Sequence, residues 1–315
     1  MDSFFFGKRL FPRCLAVAVI LTALSGCHNE RPAQPFPYAQ PPVLLAGSPE
    51  EISRWVSEHY WDAWLDSLSV FSKDTALIGG ITRNEFKMAS NQYAALLSSI
   101  PVPEAIRAQS HLWNQLASRE GIAPKITEHL FEACELLFYH PNSPYRNEDL
   151  YLPALQWRLA NLREAYLADR YNQQLAVCQQ NRWGEVAADF RYQVPGKQVG
   201  QMHTIPTPYT LLIFSIPDCP QCKVTLQELA ADTTLGKAIA AGQLTVLNLY
   251  FEKQIESWMQ ARKHYPKTWI NAFDPDEAVE SLYAIRATPS LYLLNQDKRV
   301  LLKDATPEQI IRALQ

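Results

Sequence analysis

The chain has 315 residues, 47% hydrophobic and 19% charged, with a formal net charge of −3 and a pI near 6.2. So slight an acidic balance leaves no basic footprint for a phosphate backbone, which excludes nucleic acid as a partner. A chain this long buries a core without disulfides, and its length suits two domains.

Taken in order, Lys8, Arg9 and Arg13 precede an apolar stretch, Cys14 to Leu24, that closes in Leu24-Ser25-Gly26-Cys27. Those eleven residues fall short of the roughly 20 a bilayer-spanning helix needs, so 1–26 reads as a cleaved lipoprotein signal peptide rather than a retained span. Cleavage leaves Cys27 as the lipidated first residue. Acyl chains there form a membrane anchor, each buried methylene contributing about 0.8 kcal/mol, and the body then faces the periplasm. Residues 27–47 carry Pro32, Pro35, Pro37, Pro41 and Pro42 and read as an extended tether.

From 48 to 184 the pattern is helical and rich in aromatics, Trp61, Trp64, Phe86, Tyr93, Trp113 and Phe131 among them, which read as core. The periodicity predicts helices over Pro49–Leu68, Thr82–Ser99, Pro103–Ser118, Lys125–Tyr139 and Asn147–Gln180, the last interrupted near Pro153, with a turn at His140 to Glu148. Cys134 and Cys178 sit among apolar neighbours and read first as buried thiols; a disulfide joining them is the alternative.

After Gly184 the period changes. Short strands are expected over Val186–Tyr192 and Val199–Ile205, then at Tyr209 to Ile216, Leu244–Tyr250, and an antiparallel pair, Pro289–Leu294 with Arg299–Lys303. Asp274-Pro275-Asp276-Glu277 and Thr306-Pro307-Glu308-Gln309 read as capping boxes with proline at the first helical position. The fold class is therefore α+β: an all-α N-terminal domain, 48–184, followed by an α/β domain, 185–315.

Between the third strand and the next helix stands Pro217-Asp218-Cys219-Pro220-Gln221-Cys222, and well downstream comes Ala287-Thr288-Pro289-Ser290 entering a strand. Two cysteines at that spacing can open and close one disulfide. Zinc would need four ligands, and His203 and His264 show no paired spacing beside Cys219 and Cys222, so no metal is expected. The C-terminal segment resembles the TlpA/ResA-like extracytoplasmic thioredoxins: Ala188-Asp189-Phe190, Gly196, the strand into Cys219 and Cys222, and Thr288-Pro289 come in their order. The segment before it is similar to an uncharacterised helical domain of bacterial lipoproteins, through the turn Tyr139 to Glu148.

The resemblance implies a membrane-tethered thiol:disulfide oxidoreductase that uses no cofactor. Cys219 would be the attacking thiol at a helix N-terminus and Cys222 the resolver, while a cis Pro289 faces the dithiol and Thr288 offers backbone groups to a substrate strand. Partners would be protein thiols and disulfides of the cell envelope and an upstream membrane electron donor.

Three positions depart from thioredoxin and its relatives: Asp218 stands before the first cysteine, where a carboxylate could cap the helix and oppose a thiolate. Ile213 and Thr225 stand where acidic proton acceptors are found, and Glu228 reads as solvated. Asp218 favours a reductant over an oxidant. Two rival readings are a non-catalytic binding lipoprotein that keeps the fold, and a disulfide isomerase built as a dimer.

Overall fold

The computed structural model describes residues 32–45, 47–71, 77–119 and 124–315, and residues 33–315 form one compact unit. The signal peptide over 1–26 and the lipidation site Cys27 lie outside the described residues. No helix among the described residues is long and apolar enough to cross a membrane.

The helical part holds α1 (Pro49–His59), α2 (Asp62–Phe71), α3 (Arg83–Ser99), α4 (Val102–Ser118), α5 (Pro124–Cys134), α6 (Glu148–Ala160) and α7 (Ala168–Cys178). Ser48 opens α1 by accepting the Glu51 N–H, and a Thr82–Glu85 capping box opens α3. A π-helical turn, Glu135–Tyr139, extends α5. The single helix expected over Pro49–Leu68 is two. It breaks at Tyr60 and Trp61, whose rings are buried, and Asp62 starts the next helix by engaging His59 Nδ1 at 2.7 Å.

The helix expected over 147–180 also divides, but not at Pro153, which lies inside α6. It stops where Asn161 turns its side-chain amide back onto the Trp157 carbonyl at 2.8 Å, occupying a terminal acceptor. The aromatic residues are core: Trp61, Trp64, Phe86, Tyr93, Trp113 and Phe131 are all buried in one cluster.

The Pro-rich segment is not an extended tether throughout. Phe36 is buried, its ring 5.5 Å from that of Tyr60 and 5.4 Å from that of Trp61, and the Gln34 N–H donates to the Gly80 carbonyl. Tyr38 donates its hydroxyl to Gln92. Two aromatics among the prolines supply the apolar area that pins this stretch to the helices.

The sheet part contains β1 (Arg191–Gln193), β2 (Val199–Gln201), β3 (Tyr209–Phe214), α8 (Pro220–Ala231), α9 (Thr233–Ala240), β4 (Leu244–Tyr250), α10 (Ile255–Ala261), β5 (Ile270–Phe273), α11 (Val279–Leu282), β6 (Ser290–Leu294), β7 (Val300–Lys303) and α12 (Pro307–Ala313). The strands lie in the order β2-β1-β5-β4-β3-β6-β7. β4 runs parallel to β3 and β5, whereas β6 is antiparallel to both β3 and β7. Alternation sends Leu211 and Ile213 to one face, with Leu226, Leu229 and Ile310 of α8 and α12, and Leu212 and Phe214 to the other, with Phe190, Tyr283 and Tyr292.

The fold is α+β as expected, with local differences. The strand expected over Val186–Tyr192 shrinks to β1, Val186 making only a bridge to Arg299. The helix expected to begin at Pro275 begins four residues later: the Asp274 carboxylate accepts the N–H groups of Asp276, Ala278 and Val279, Glu277 sits at φ 54°, and α11 starts at Val279. The Thr306–Gln309 capping box forms as read.

At Gly79, φ is +55°, and an added Cβ would stand 2.5 Å from Leu68 Cδ2 and 2.6 Å from Trp64 Cζ2. Gly79→Ala is therefore expected to destabilise the chain by about 1–3 kcal/mol. Urea denaturation with an unchanged midpoint would refute this account of the Gly79 turn.

Candidate functional site

β3 ends at Phe214, and its register with β6 pairs Phe214 with Ser290. That pairing carries the residues just before Ser290 to the end of β3 where Cys219 emerges. The Thr288–Pro289 peptide there is cis, and the Cys219 thiol donates to the Thr288 carbonyl at 3.4 Å. Two segments nearly seventy residues apart in sequence thus meet at one sulfur.

Cys219 is the N-cap of α8. Its backbone is extended, Pro220 follows at the first helical position, and its Sγ accepts the Cys222 N–H at 3.0 Å. A sulfur takes the place usually filled by a serine or aspartate oxygen, at the helix end that favours negative charge. Asp218 does not cap the helix; it is exposed beside it.

Electrostatics separate the two thiols. Burial pushes Cys219 up, but hydrogen bonds to its sulfur from the side chains of Cys222 and Thr288 and from the backbone N–H groups of Cys222 and Gln221 outweigh it and hold the thiol below its ordinary value. Cys222 is pushed up to about 12 by burial and by donating to Cys219. Cys219 is half-buried and Cys222 almost fully enclosed, so one thiol is both reachable and ionisable while its neighbour is neither.

The two positions where the resemblance expects an acidic proton acceptor hold enclosed uncharged side chains: Ile213 is fully buried and Thr225 nearly so. Glu228 is exposed, and burial and Glu308 raise its carboxyl above the usual range. Uncharged polar groups lie on the α8 side of the sheet instead. Ser215 donates to Asn248 Oδ1 at 2.7 Å, Asn248 donates to Asn271 Oδ1 at 3.1 Å, and Asn271 reaches the Pro266 carbonyl at 2.9 Å. Next to Pro266, the Tyr265 hydroxyl is raised chiefly by burial, with a further electrostatic contribution from Cys222. Sequence reading missed both, though Asn248 inside the apolar run Leu244 to Tyr250 was a visible signal.

Cys134 and Cys178 are free, buried thiols, each pushed up to about 12 chiefly by burial. His203 serves the sheet part, with its ring on the Ala187 carbonyl at 2.8 Å and its N–H on Asp189. A second group escaped the sequence reading: His59, Asp62 and His111 bring ligand atoms within 4.8 Å of one another. Gln115, one helical turn beyond His111, closes this group by donating to Asp62 Oδ1 at 2.7 Å and contacting the His111 ring nitrogen, so its polar atoms are already partnered.

The profile of a family described as a domain of unknown function, DUF5106, matches residues 19–181. No curated protein matches the chain. A crystal structure of a thioredoxin-like protein from Bacteroides caccae is 28% identical, with a TM-score of 0.70 over 89% of this chain and 98% of that one. The C-terminal domain of an uncharacterised protein from Bacteroides fragilis is 34% identical over 42% of this chain and 97% of its own, with a TM-score of 0.42. A thiol:disulfide interchange protein from Bacteroides sp. is 16% identical over 42% of this chain and 87% of its own, with a TM-score of 0.37.

Brief alkylation near pH 7.5, read by mass, is expected to modify Cys219 well before Cys222, Cys134 or Cys178, because only the first is held below its ordinary value. Its rate should level off at a pH where the other three are still unreactive. Equal labelling of Cys219 and Cys222 in the folded reduced protein would contradict this assignment.

Proposed function

We propose that this chain, which belongs to the DUF5106 family and carries a thioredoxin-like fold, is a thiol:disulfide oxidoreductase of the cell envelope working as a reductant. The observation that carries the reading is the placement of the Cys219 sulfur, at the N-terminus of α8 and 3.4 Å from the Thr288 carbonyl beside cis Pro289. A thiolate there has its charge stabilised and an extended strand's backbone edge next to it.

In the proposed cycle the Cys219 thiolate attacks one sulfur of a substrate disulfide. That S–S bond breaks, a Cys219–substrate disulfide forms, and the first substrate sulfur leaves as a thiolate. Cys222 loses its proton and attacks Cys219 Sγ, forming the Cys219–Cys222 disulfide and releasing the second substrate thiol. Two electrons have then passed to the substrate, and an upstream membrane dithiol donor returns them. Thr288 is assigned to the substrate strand, through backbone groups flanking Pro289. The Cys222 proton goes to the departing second substrate sulfur, which therefore leaves as a thiol and needs no carboxylate acceptor.

The reducing direction follows from the source of stabilisation. What holds Cys219 down is dominated by hydrogen bonds rather than a cation, and strong oxidants depend on a heavily stabilised thiolate. Export as a lipoprotein through Cys27 and residence at the periplasmic side of a membrane complete the proposal.

The test is glutathione titration of the compact unit 33–315, with Cys219→Ser and Cys222→Ser variants. We expect a reversible Cys219–Cys222 couple at about −270 to −180 mV, and a mixed disulfide that accumulates only in Cys222→Ser. A potential near −120 mV would reverse the direction; a pair that neither cycles nor traps substrate would leave a binding module.

A further inference from the structure

The helical part, to which no role has been given so far, meets the sheet part at the residues flanking Thr288 and Pro289. The turn expected from His140 to Glu148 supplies both contacts. Upstream of Thr288, Arg286 is gripped by Glu148, at 3.1 Å from Nε and 2.5 Å from Nη2, and its Nη1 donates to the Tyr139 carbonyl at 2.6 Å. The same guanidinium lies 3.9 Å above the Tyr139 ring. Downstream of Pro289, the Ser290 hydroxyl accepts from Arg146 at 3.1 Å and donates to the Ala287 carbonyl at 2.8 Å. Arg146 also pairs with Asp304 at 2.7 Å and donates to the Pro141 carbonyl at 2.9 Å.

Burial makes these contacts stiff. The side chains of Glu148 and Lys303 are each only 3% exposed, and Lys303 completes the group by pairing with the second Glu148 oxygen while donating to the Gln180 carbonyl at 2.6 Å. A buried carboxylate shared by two cations has few alternative partners, so the geometry of the group is closely specified. Arg286, Ala287, Thr288, Pro289 and Ser290 are five consecutive residues. Their first and last members are tied to the helical part, and Thr288 within them is tied to Cys219.

We propose that the helical part braces the redox site: Glu148 and Arg146 are positioning residues that hold the Thr288–Pro289 segment against Cys219 from both ends. Neither touches the reacting sulfurs. They act through the placement of Thr288, whose side chain is one of the groups that keep the Cys219 thiol low. The inference gives the DUF5106 region a part in the chemistry, and it rests on Cys219 being the attacking thiol.

The experiment measures the pH midpoint of Cys219 alkylation and the rate of mixed-disulfide formation, with melting temperature alongside, in the full chain. Glu148→Gln removes the carboxylate charge at nearly constant shape, and Arg146→Lys keeps the charge but loses the fork that spans Ser290, Asp304 and Pro141. Arg312→Ala is the control, because Arg312 bridges the same two parts at the Ser99 carbonyl, far along the chain from Thr288. The expected result is a midpoint raised by about half a pH unit, roughly a threefold loss of thiolate at fixed pH below it, in Glu148→Gln and Arg146→Lys. Arg312→Ala should keep the parent midpoint.

If Glu148→Gln does not fold, Arg146→Lys decides. Folded variants with the parent midpoint and trapping rate, or an equal shift in Arg312→Ala, would overturn the brace. A parent protein whose Cys219 shows no depressed midpoint and traps nothing would instead remove the oxidoreductase reading itself, so the two failures are distinguishable.

Discussion

Everything at the site depends on one strand pairing, β3 with β6, antiparallel and in the register that sets Phe214 opposite Ser290. Because side chains alternate along a strand, a slip of one residue would send Leu291 and Leu293 to the wrong face and carry Thr288 away from the end of β3. The apolar residues of both faces oppose such a slip: Leu291 and Leu293 belong with Leu211 and Ile213 under α8, and Tyr292 belongs with Phe214 on the other side. Core packing thus brings the Thr288 segment to the end of β3 from which Cys219 emerges. What remains adjustable is the loop itself, and that is where the helical part makes contact.

The division of labour between the two cysteines has an equally simple origin. Both stand at the start of α8, three residues apart, but the helix turns one sulfur toward its own N–H groups and the other into the core. The first gains hydrogen bonds and keeps exposure; the second gains burial without a charged partner. A difference of environment across one helical turn is enough to assign opposite ionisation tendencies to chemically identical groups.

The fold class, the capping box at Thr306, the dithiol at a strand-to-helix turn and the buried aromatic stripe could all be read from local pattern. Each of those signals is short-range. Missed features depend on partners distant in sequence: β5, whose Ile270–Phe273 run is too short to stand out, pairs with β4, and Phe36 is held by Tyr60 and Trp61. The resemblance expects a carboxylate at fixed offsets from the cysteines, whereas the polar groups on the α8 side of the sheet are the uncharged Asn248 and Asn271, brought together from β4 and β5. Glu148 was visible only as the end of a turn; nothing local says that a glutamate will be buried against Arg286 and Lys303 from beyond residue 280.

The two thiols that take no part in exchange give the molecule a further property. Cys134 and Cys178 are sealed in the helical core on α5 and α7, with ionisation suppressed by burial, so reagents and oxidants reach them only when those helices separate. They form an internal clock for opening: where reclosing is fast compared with the reagent, the rate at which they are consumed reports the free energy of local unfolding. In an oxidising compartment that same rate bounds the lifetime of the protein, since each opening exposes two unpaired sulfurs to the kind of disulfide exchange that Cys219 and Cys222 would carry out.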